Sequence, residues 1–489
     1  MTALLVLLVG PLGGALATIA LPGRAARIAA AAAIIATLVA ATTLAGQILM
    51  RGVLRLELGG WAPPLGIALE ADGLSAVLLV MTALVMAATG LAARHELAPH
   101  AAGAQAAFGF WPLMLMLWAA LNAVFLSRDL FNLYVGLELL SLAAIGLVVI
   151  GGTAAAIAAA IRYMIFALAG SLLFLAGTIL IYAAHGTLDL DLLAALDPAT
   201  TDGLALALMT GGLLAKTALF PFHVWLPPAH SSAPAPASAL LSALVPKASF
   251  VILLRLWLDA MPDRTDEGAL VLLACLGAVA VVWGSIRAIT QTRLKLILAY
   301  STIAQIGYLF LVLPLAGGAA GDLPWASGAW TGTVMLIVSH ALAKSAMFLI
   351  AGQWMSVTGS DRLADLRGLA LLMPMSAAAF AMAAVTLAGL PPSGGFTGKY
   401  LIMTAAFASG QWVWALVMAA GGLLAAVYLY RPLAVLFDRI ETPDITALSR
   451  PRQVVPLILA GASVVLGVTS SGPFEILPIG RPAAVEEGP

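Results

Sequence analysis

Fourteen stretches of about 20 mostly apolar residues follow one another along the chain, each long enough for a helix to cross the hydrocarbon core of a bilayer. They begin near Ala3, Arg27, Leu74, Phe108, Leu130, Arg162, Leu204, Ala239, Leu270, Leu296, Thr331, Pro374, Gln411 and Val454. The connections between them are short, and nothing delimits a separate soluble unit. The largest early polar loop, residues 48–72, alternates apolar and polar positions around turn residues in RLELGGWAPPLGIALEADG, which predicts a small β-hairpin. The first stretch, MTALLVLLVGPLGGALATIALPG, lacks a positively charged leader and runs on into further apolar spans. It therefore reads as the first transmembrane helix and not as a removable signal. The predicted class is an all-α membrane protein of about fourteen transmembrane helices.

Two of the spans are interrupted. The seventh, GGLLAKTALFPFHVWLPPAHSSAPAPASALL, carries Pro221, Pro227, Pro228, Pro234 and Pro236. The twelfth, AAVTLAGLPPSGGFTGKYLI, has Pro391–Pro392 and Gly394–Gly395 in its middle. Proline removes a backbone donor and clashes with the preceding turn. A broken helix survives in a membrane only where it is buried in protein or lines a wet cavity. The breaks lie five spans apart, so the two discontinuous helices run in opposite directions, as two inverted five-helix repeats require. That divides a single membrane domain, 1–489, into peripheral helices 1–3 (1–105), a first repeat (106–260), a second repeat (268–436) and helix 14 (452–472). The plainer alternative is a pair of proline kinks, which transmembrane helices often carry.

Composition narrows the class further. Of 489 residues 62% are hydrophobic and 9% charged, against about 25% charged in soluble domains, so the main solvent is the lipid bilayer. The single Cys275 excludes a disulfide framework and a cysteine-ligated cluster within the chain. Six histidines are scattered without metal-ligand spacing, and no cofactor or catalytic motif appears. The formal net charge is zero, and no basic tail points to nucleic acid. Loops after odd-numbered spans hold Arg24, Arg94, Arg287, Arg293, Lys295, Arg362, Arg367, Arg431, Arg439, Arg450 and Arg452. Loops after even-numbered spans hold Arg51, Arg55, Arg128 and Arg264, and the sixth-to-seventh loop is purely acidic. The positive-inside rule then puts both termini outside the cytoplasm, in agreement with the shared side that an even number of spans requires.

Most arginines sit in loops, whereas four of the five lysines, Lys216, Lys247, Lys344 and Lys399, fall inside apolar spans. A charge at the bilayer centre costs about 2.5–3.5 kcal/mol on insertion scales. Lysine releases its proton when desolvated and arginine does not, so buried lysines suit a proton relay. Glu138, inside span 5, is the matching acid, and a Glu138–Lys216 pair would alternate between joined and separated states. His340 and Lys344 are four apart and share a helix face; imidazole titrates near neutrality. Each residue has a plainer reading. Lys216 and Lys399 near helix breaks would snorkel, Glu138 would pair structurally, and His340 would bond within the bundle. Lys295 beside Arg293 satisfies the positive-inside rule alone or belongs to a cytoplasmic proton intake. His223 and His230 either feed protons to Lys216 or cap broken helix ends.

These segments resemble the antiporter-like, proton-translocating subunits shared by respiratory complex I, membrane-bound hydrogenases and Mrp-type cation/proton antiporters. The likeness rests on DLFNLYVGLELLSLAAIGL, LLAKTALFPFHVWLPPAHSSAPAPASALLSALVPKASFVILLRL, RLKLILAYSTIAQIGYLFL, SHALAKSAMFLIAG and LAGLPPSGGFTGKYLI. It implies fourteen helices with two inverted repeats. It also implies a relay of Glu138, Lys216, Lys247, His340, Lys344 and Lys399, with Lys399 in the exit half-channel. Three positions depart from the family pattern: Pro228 and Arg293 stand where relatives often carry acids, and Leu336 where some carry a second histidine. The DLFNLYVGLE stretch is most similar to the D-type Mrp subunit. The resemblance implies a proton-translocating subunit of a multi-subunit antiporter, exchanging protons with a cation such as Na+, in a bacterial-type inner membrane. Its alternative is the proton-pumping subunit of an NADH:quinone oxidoreductase or hydrogenase, with electrons carried by partner subunits.

Overall fold

The computed structural model describes residues 2–96, 103–321, 323–438, 446–469 and 475–481. Arg439, one of the arginines in the orientation argument, lies outside them, as do residues 470–472 of the expected last span. Thirteen helices among the described residues are long and apolar enough to cross a bilayer. In chain order spans 1 to 6 are Thr2–Ala20, Gly23–Arg51, Gly73–Glu96, Gly103–Leu126, Leu130–Val149 and Ala154–His185. Spans 7 to 11 are Asp202–Ser232, Ala235–Ala260, Glu267–Thr290, Leu294–Ala316 and Ala326–Thr358, and spans 13 and 14 are Trp412–Phe437 and Arg450–Val468. Span 12 consists of two pieces, Pro374–Ala388 and Gly394–Ala408, of 15 residues each. At 1.5 Å per residue either piece is about 22 Å long, too short to cross a ~30 Å core alone.

Several starts differ from expectation. Span 6 begins at Ala154, not near Arg162, because the Thr153 hydroxyl caps the Ala156 amide and alanines fill the first turns. Span 4 begins at Gly103 and span 8 at Ala235, each about a turn earlier than their apolar cores.

Both expected interruptions are present, and they end their first halves alike. The helix Asp202–Thr217 stops at Ala218, whose φ of 58° is left-handed, and the Leu219 amide bonds back to the Leu214 carbonyl. The helix Pro374–Ala388 stops at Gly389, φ 79°, and the Leu390 amide bonds back to the Val385 carbonyl. This is the Schellman stop; glycine takes it freely, while Ala218 holds it at a cost of about 1 kcal/mol. Two short antiparallel bridges also match, one between Asp129 before span 5 and Asp189 after span 6, the other between Arg293 before span 10 and Arg362 after span 11. Close crossings recur in the same way. A Cβ on Gly212 would lie 2.3 Å from the Gly170 carbonyl, and one on Gly398 would lie 2.8 Å from the Gly332 carbonyl. Small residues at these points let span 6 meet span 7, and span 11 meet span 12, at backbone distance.

Spans 8 and 11 are buried along their whole apolar length, and span 10 nearly so. Spans 1, 2 and 14 are mostly exposed and present Val9, Leu16, Ile28, Ile35 and Ile458 outward. The predicted hairpin forms, with β1 (Leu54–Glu57) antiparallel to β2 (Ala68–Ala71) and Arg55 opposite Glu70. Arg55 reaches Asp191 at 2.8 Å, and Arg128 also pairs with Asp191, so the hairpin is stapled to the acidic loop after span 6. Burial pushes the Glu70 carboxyl up, against the opposing pull of Arg128.

Below the hairpin, Arg255 of span 8 grips Asp72 with two bonds of 2.8 and 2.9 Å and donates a third, of 3.0 Å, to Ser75. Burial alone would raise the Asp72 carboxyl; the paired guanidinium outweighs it and holds the group below its ordinary 3.8. The pair's stabilisation is therefore complete above about pH 4 and is lost as pH falls through the lower folded value. Removing one partner strands the other. Asp72→Ala is expected to destabilise the protein by about 3–5 kcal/mol, read as a lowered thermal midpoint in detergent. Arg55→Ala, at a site 38% exposed, should cost no more than about 1 kcal/mol. Equal small losses would refute the distinction.

Candidate functional site

Lys216 lies two residues before the Ala218 stop, so its side chain leaves the helix where span 7 turns. Its ammonium faces span 5, donating to Ser141 Oγ at 2.8 Å, Glu138 Oε1 at 3.3 Å and the Leu137 carbonyl at 3.4 Å. Ser171 of span 6 donates to the same Glu138 oxygen. The expected Glu138–Lys216 pair is thus in contact, completed by two serines that sequence reasoning passed over. A hydroxyl in an otherwise apolar span, one turn from a glutamate, was the available signal for Ser141. Lys216 is 5% exposed and does not reach an interface; Glu138 keeps 28% of its side chain exposed. Phe131, Val135 and Leu142 share its outward stripe at helical spacing.

The remaining lysines solve their burial differently. Lys247, three residues into the second part of span 8, donates to the Ser242 carbonyl across the break at Leu244. Lys344 donates to the Leu298 carbonyl at 2.7 Å and to Ser301, both on span 10. Lys399 folds back over Gly389 and donates to the Leu387 and Ala388 carbonyls, both at 3.2 Å. Its charge therefore sits on the last carbonyls of a helix C-terminus, where the macrodipole favours a cation. It also lies 4.4 Å from the centre of the Tyr308 ring, a cation–π contact that the sequence did not disclose. Gln305 donates to the same Leu387 carbonyl at 2.9 Å.

His340 is one turn from Lys344 on span 11, 5% exposed, and neither ring nitrogen has a protein partner. The charged groups facing it are Lys247, Lys344 and Lys399. His230 is 1% exposed, stacks on Phe348 at 5.1 Å and is likewise unpartnered at both nitrogens. It lies within electrostatic range of Lys295, Lys344 and Lys247. His223 takes a hydrogen bond of 3.2 Å from the Trp283 indole and joins none of these groups. Lys295 is 2% exposed and points inward to the Ala233 carbonyl.

The residues therefore fall into a pair and a cluster. Glu138 and Lys216 form the pair; Lys247, Lys344 and Lys399 lie within electrostatic range of His340, and Lys295, Lys344 and Lys247 within that of His230. The Thr217 hydroxyl donates to Ser249 at 3.0 Å, linking the residue after Lys216 to the helical turn that holds Lys247. No carboxylate within 4 Å offsets Lys247, Lys344 or Lys399 among the described residues. Buried imidazole nitrogens without protein partners call for water, and water beside amines and imidazoles is a medium for proton transfer.

The Lys399–Tyr308 contact is a face contact and does not need the phenol oxygen. Tyr308→Phe is expected to leave the thermal midpoint within a degree or so, while Tyr308→Leu should lower it by the equivalent of about 1–2 kcal/mol. Equal losses would mean that the hydroxyl, not the ring face, is what matters.

The profile of the family described as NADH:quinone oxidoreductase/Mrp antiporter, transmembrane, matches residues 127–425. The N-type subunit of an NADH-quinone oxidoreductase from Desulforudis audaxviator is 38% identical over 408 residues, 82% of this chain and 79% of that protein. The D-type subunit of a Na(+)/H(+) antiporter from Alkalihalophilus pseudofirmus is 28% identical over 457 residues, 92% and 90% of the two chains. A chain of the Mrp complex from Dietzia sp. superposes with a TM-score of 0.87 at 24% identity, covering 97% of this chain and 95% of that one, a likeness of fold. With its broken spans and its matched core of more than half the sequence, this multi-pass membrane protein belongs to the NADH:quinone oxidoreductase/Mrp antiporter transmembrane family.

Proposed function

We propose that this chain is the proton-translocating subunit of an Mrp-like cation/proton antiporter, with Na+ as the exchanged cation. The relay is Glu138, Lys216, Lys247, His340, Lys344 and Lys399, ending at the broken span 12. The observation that carries the reading is that all five lysines are buried and that only Lys216 touches a carboxylate among the described residues. Lysines held only by carbonyls and hydroxyls remain free to lose and regain protons, which arginines in the same places would not do. When Lys216 is joined to Glu138 its ammonium is favoured; when the pair opens, desolvation favours the neutral amine and expels the proton toward Lys247. Charge repulsion between neighbouring lysines moves it onward past His340.

Two inverted repeats, 106–260 and 268–436, fit this scheme. The matched helix stops, bridges and glycine crossings described above support that division, and they would give two half-routes of opposite orientation. Partner membrane subunits follow from the exposed side of Glu138, because a carboxylate facing lipid at mid-span is costly and a neighbouring protein would cover it. The arginine distribution supports an orientation with both termini outside the cytoplasm, and the bacterial relatives support a bacterial-type cytoplasmic membrane.

A second reading is favoured by the 38% identity to an oxidoreductase subunit of the N type. There the same relay serves a redox-driven pump, with the electron carriers in other subunits. The near full-length cover of a D-type antiporter subunit keeps the antiporter reading first.

Two experiments divide these readings. In sealed vesicles carrying the assembled complex, Lys216→Ala and Glu138→Ala are expected to abolish proton flux without loss of assembly; wild-type flux in either variant sinks the relay. Mass spectrometry of the complex purified in mild detergent should find small hydrophobic subunits and a second large antiporter-like chain. Iron–sulfur or flavin proteins in their place would support the redox-driven pump.

A further inference from the structure

A cavity of about 500 Å³ opens where span 3 ends, spans 8, 10 and 14 begin, and span 11 ends. All five ends belong to one membrane face, the one rich in arginine. Glu96, His95, Lys295, Gln353, Ser356 and Arg452 are the polar side chains lining it. Glu96 is the last residue of span 3. A Cβ on Gly352 would meet its two carboxylate oxygens at 2.9 and 3.1 Å, so the carboxylate fills the notch that the glycine leaves. Lys295 closes the inner end, its ammonium turned to the Ala233 carbonyl.

Glu96 and Lys295 are within electrostatic reach of each other but form no direct ion pair. The cavity that both line has room for several waters of about 30 Å³ each. Gln353 is 5% exposed and gives its amide hydrogen to the Arg452 carbonyl at 2.7 Å, while its own oxygen is buried without a protein partner. An orphaned acceptor on the cavity wall is a place to hold water. His230 lies three residues before Ala233, whose carbonyl holds Lys295; neither of its ring nitrogens has a protein partner, and Lys295, Lys344 and Lys247 are within electrostatic range of it.

We propose that this cavity is the port through which protons reach the central lysines, and that Glu96 is the group that loads it. The inference rests on the relay reading above and adds to it a residue, a place and an order. Glu96 takes a proton from water at the mouth. Its carboxyl O–H then breaks as an N–H forms on the neutral Lys295 amine, through water held at Gln353. Lys295 passes the proton to His230, and the Glu96 carboxylate is left to take up the next one from bulk water. Of the two titratable side chains at the mouth, Glu96 and His95, Glu96 is the one seated in the Gly352 notch, while Arg452 and the neighbouring Arg94 do not release protons.

The test uses the assembled complex in sealed vesicles. Glu96→Gln is expected to lower proton flux about tenfold or more, the scale on which a positioned proton donor acts, and Glu96→Asp should restore part of it. Lys216→Ala in the same assay reports on the relay itself. If Lys216→Ala abolishes flux and Glu96→Gln leaves it at the wild-type level, the port is wrong and the relay stands. A second measurement does not depend on flux. With Cys275→Ser as background, Gln353→Cys should be modified by a membrane-impermeant cationic thiosulfonate added to the arginine-rich face only. Adding Glu96→Gln should slow that modification several-fold. Absence of labelling, or labelling indifferent to Glu96, overturns the port whatever the flux assay gives.

Discussion

The architecture is governed by the difficulty of keeping an ammonium group inside a hydrocarbon-embedded bundle. A lysine in that setting must be compensated by dipoles or lose its proton. Ordinary transmembrane helices have few dipoles to spare, since their carbonyls are already engaged along the ladder. Breaking a helix frees them. Lys399 takes carbonyls released where span 12 stops at Gly389, and Lys247 takes one beside the irregular turn at Leu244. Lys344 instead shares the Leu298 carbonyl and the Ser301 hydroxyl of an adjacent span. The broken helices and the buried lysines are therefore two aspects of one design.

That design also accounts for the layering of the bundle. Broken backbone needs cover, and spans 8, 10 and 11, which carry Lys247, Ser301, His340 and Lys344, are enclosed on all sides. The unbroken spans 1 and 2 stand outside as lipid-facing helices. Glycine crossings bring span 6 onto span 7 and span 11 onto span 12, so that side chains leaving a break meet acceptors at hydrogen-bond distance. The Asp72–Arg255 clamp anchors the end of span 8 to the start of span 3. In the proposed relay, compensation by weak, neutral partners would leave the lysines able to titrate, where carboxylates at every lysine would fix them as ion pairs.

Much of this was legible in the sequence, because membrane helices announce themselves by length and apolarity. Pro391–Pro392 and the prolines after Lys216 marked the breaks, and the contrast between loop arginines and buried lysines marked the candidate relay. The β-hairpin was readable from alternation and turn residues. Helix starts at Ala154 and Ala235 were missed, since alanine-rich turns carry little hydropathy signal. Ser141 was marked by its place one turn from Glu138 and passed over; Ser171 and Tyr308 were invisible as site residues, because serine and tyrosine occur widely in transmembrane helices and only three-dimensional proximity gives them a role. Arg255 and Asp72 are 183 positions apart in sequence, and no local pattern links them. His230 sits among prolines that suggest a cap, yet it lies within electrostatic range of Lys295, Lys344 and Lys247. Glu96, at the end of a span with Arg94 and His95, reads as ordinary interfacial charge until the cavity is seen.

The central claim is that the buried lysines matter because they titrate and not because they are positive. Lysine and arginine separate these two properties, since arginine keeps its charge at every working pH. The direct test is proton flux through vesicles containing the assembled complex with Lys344→Arg, compared with Lys344→Met. The account predicts that both variants lose flux to the same extent, the arginine failing although its charge is retained. Wild-type flux in Lys344→Arg, with loss only in Lys344→Met, would show that a fixed positive charge suffices and would contradict the relay.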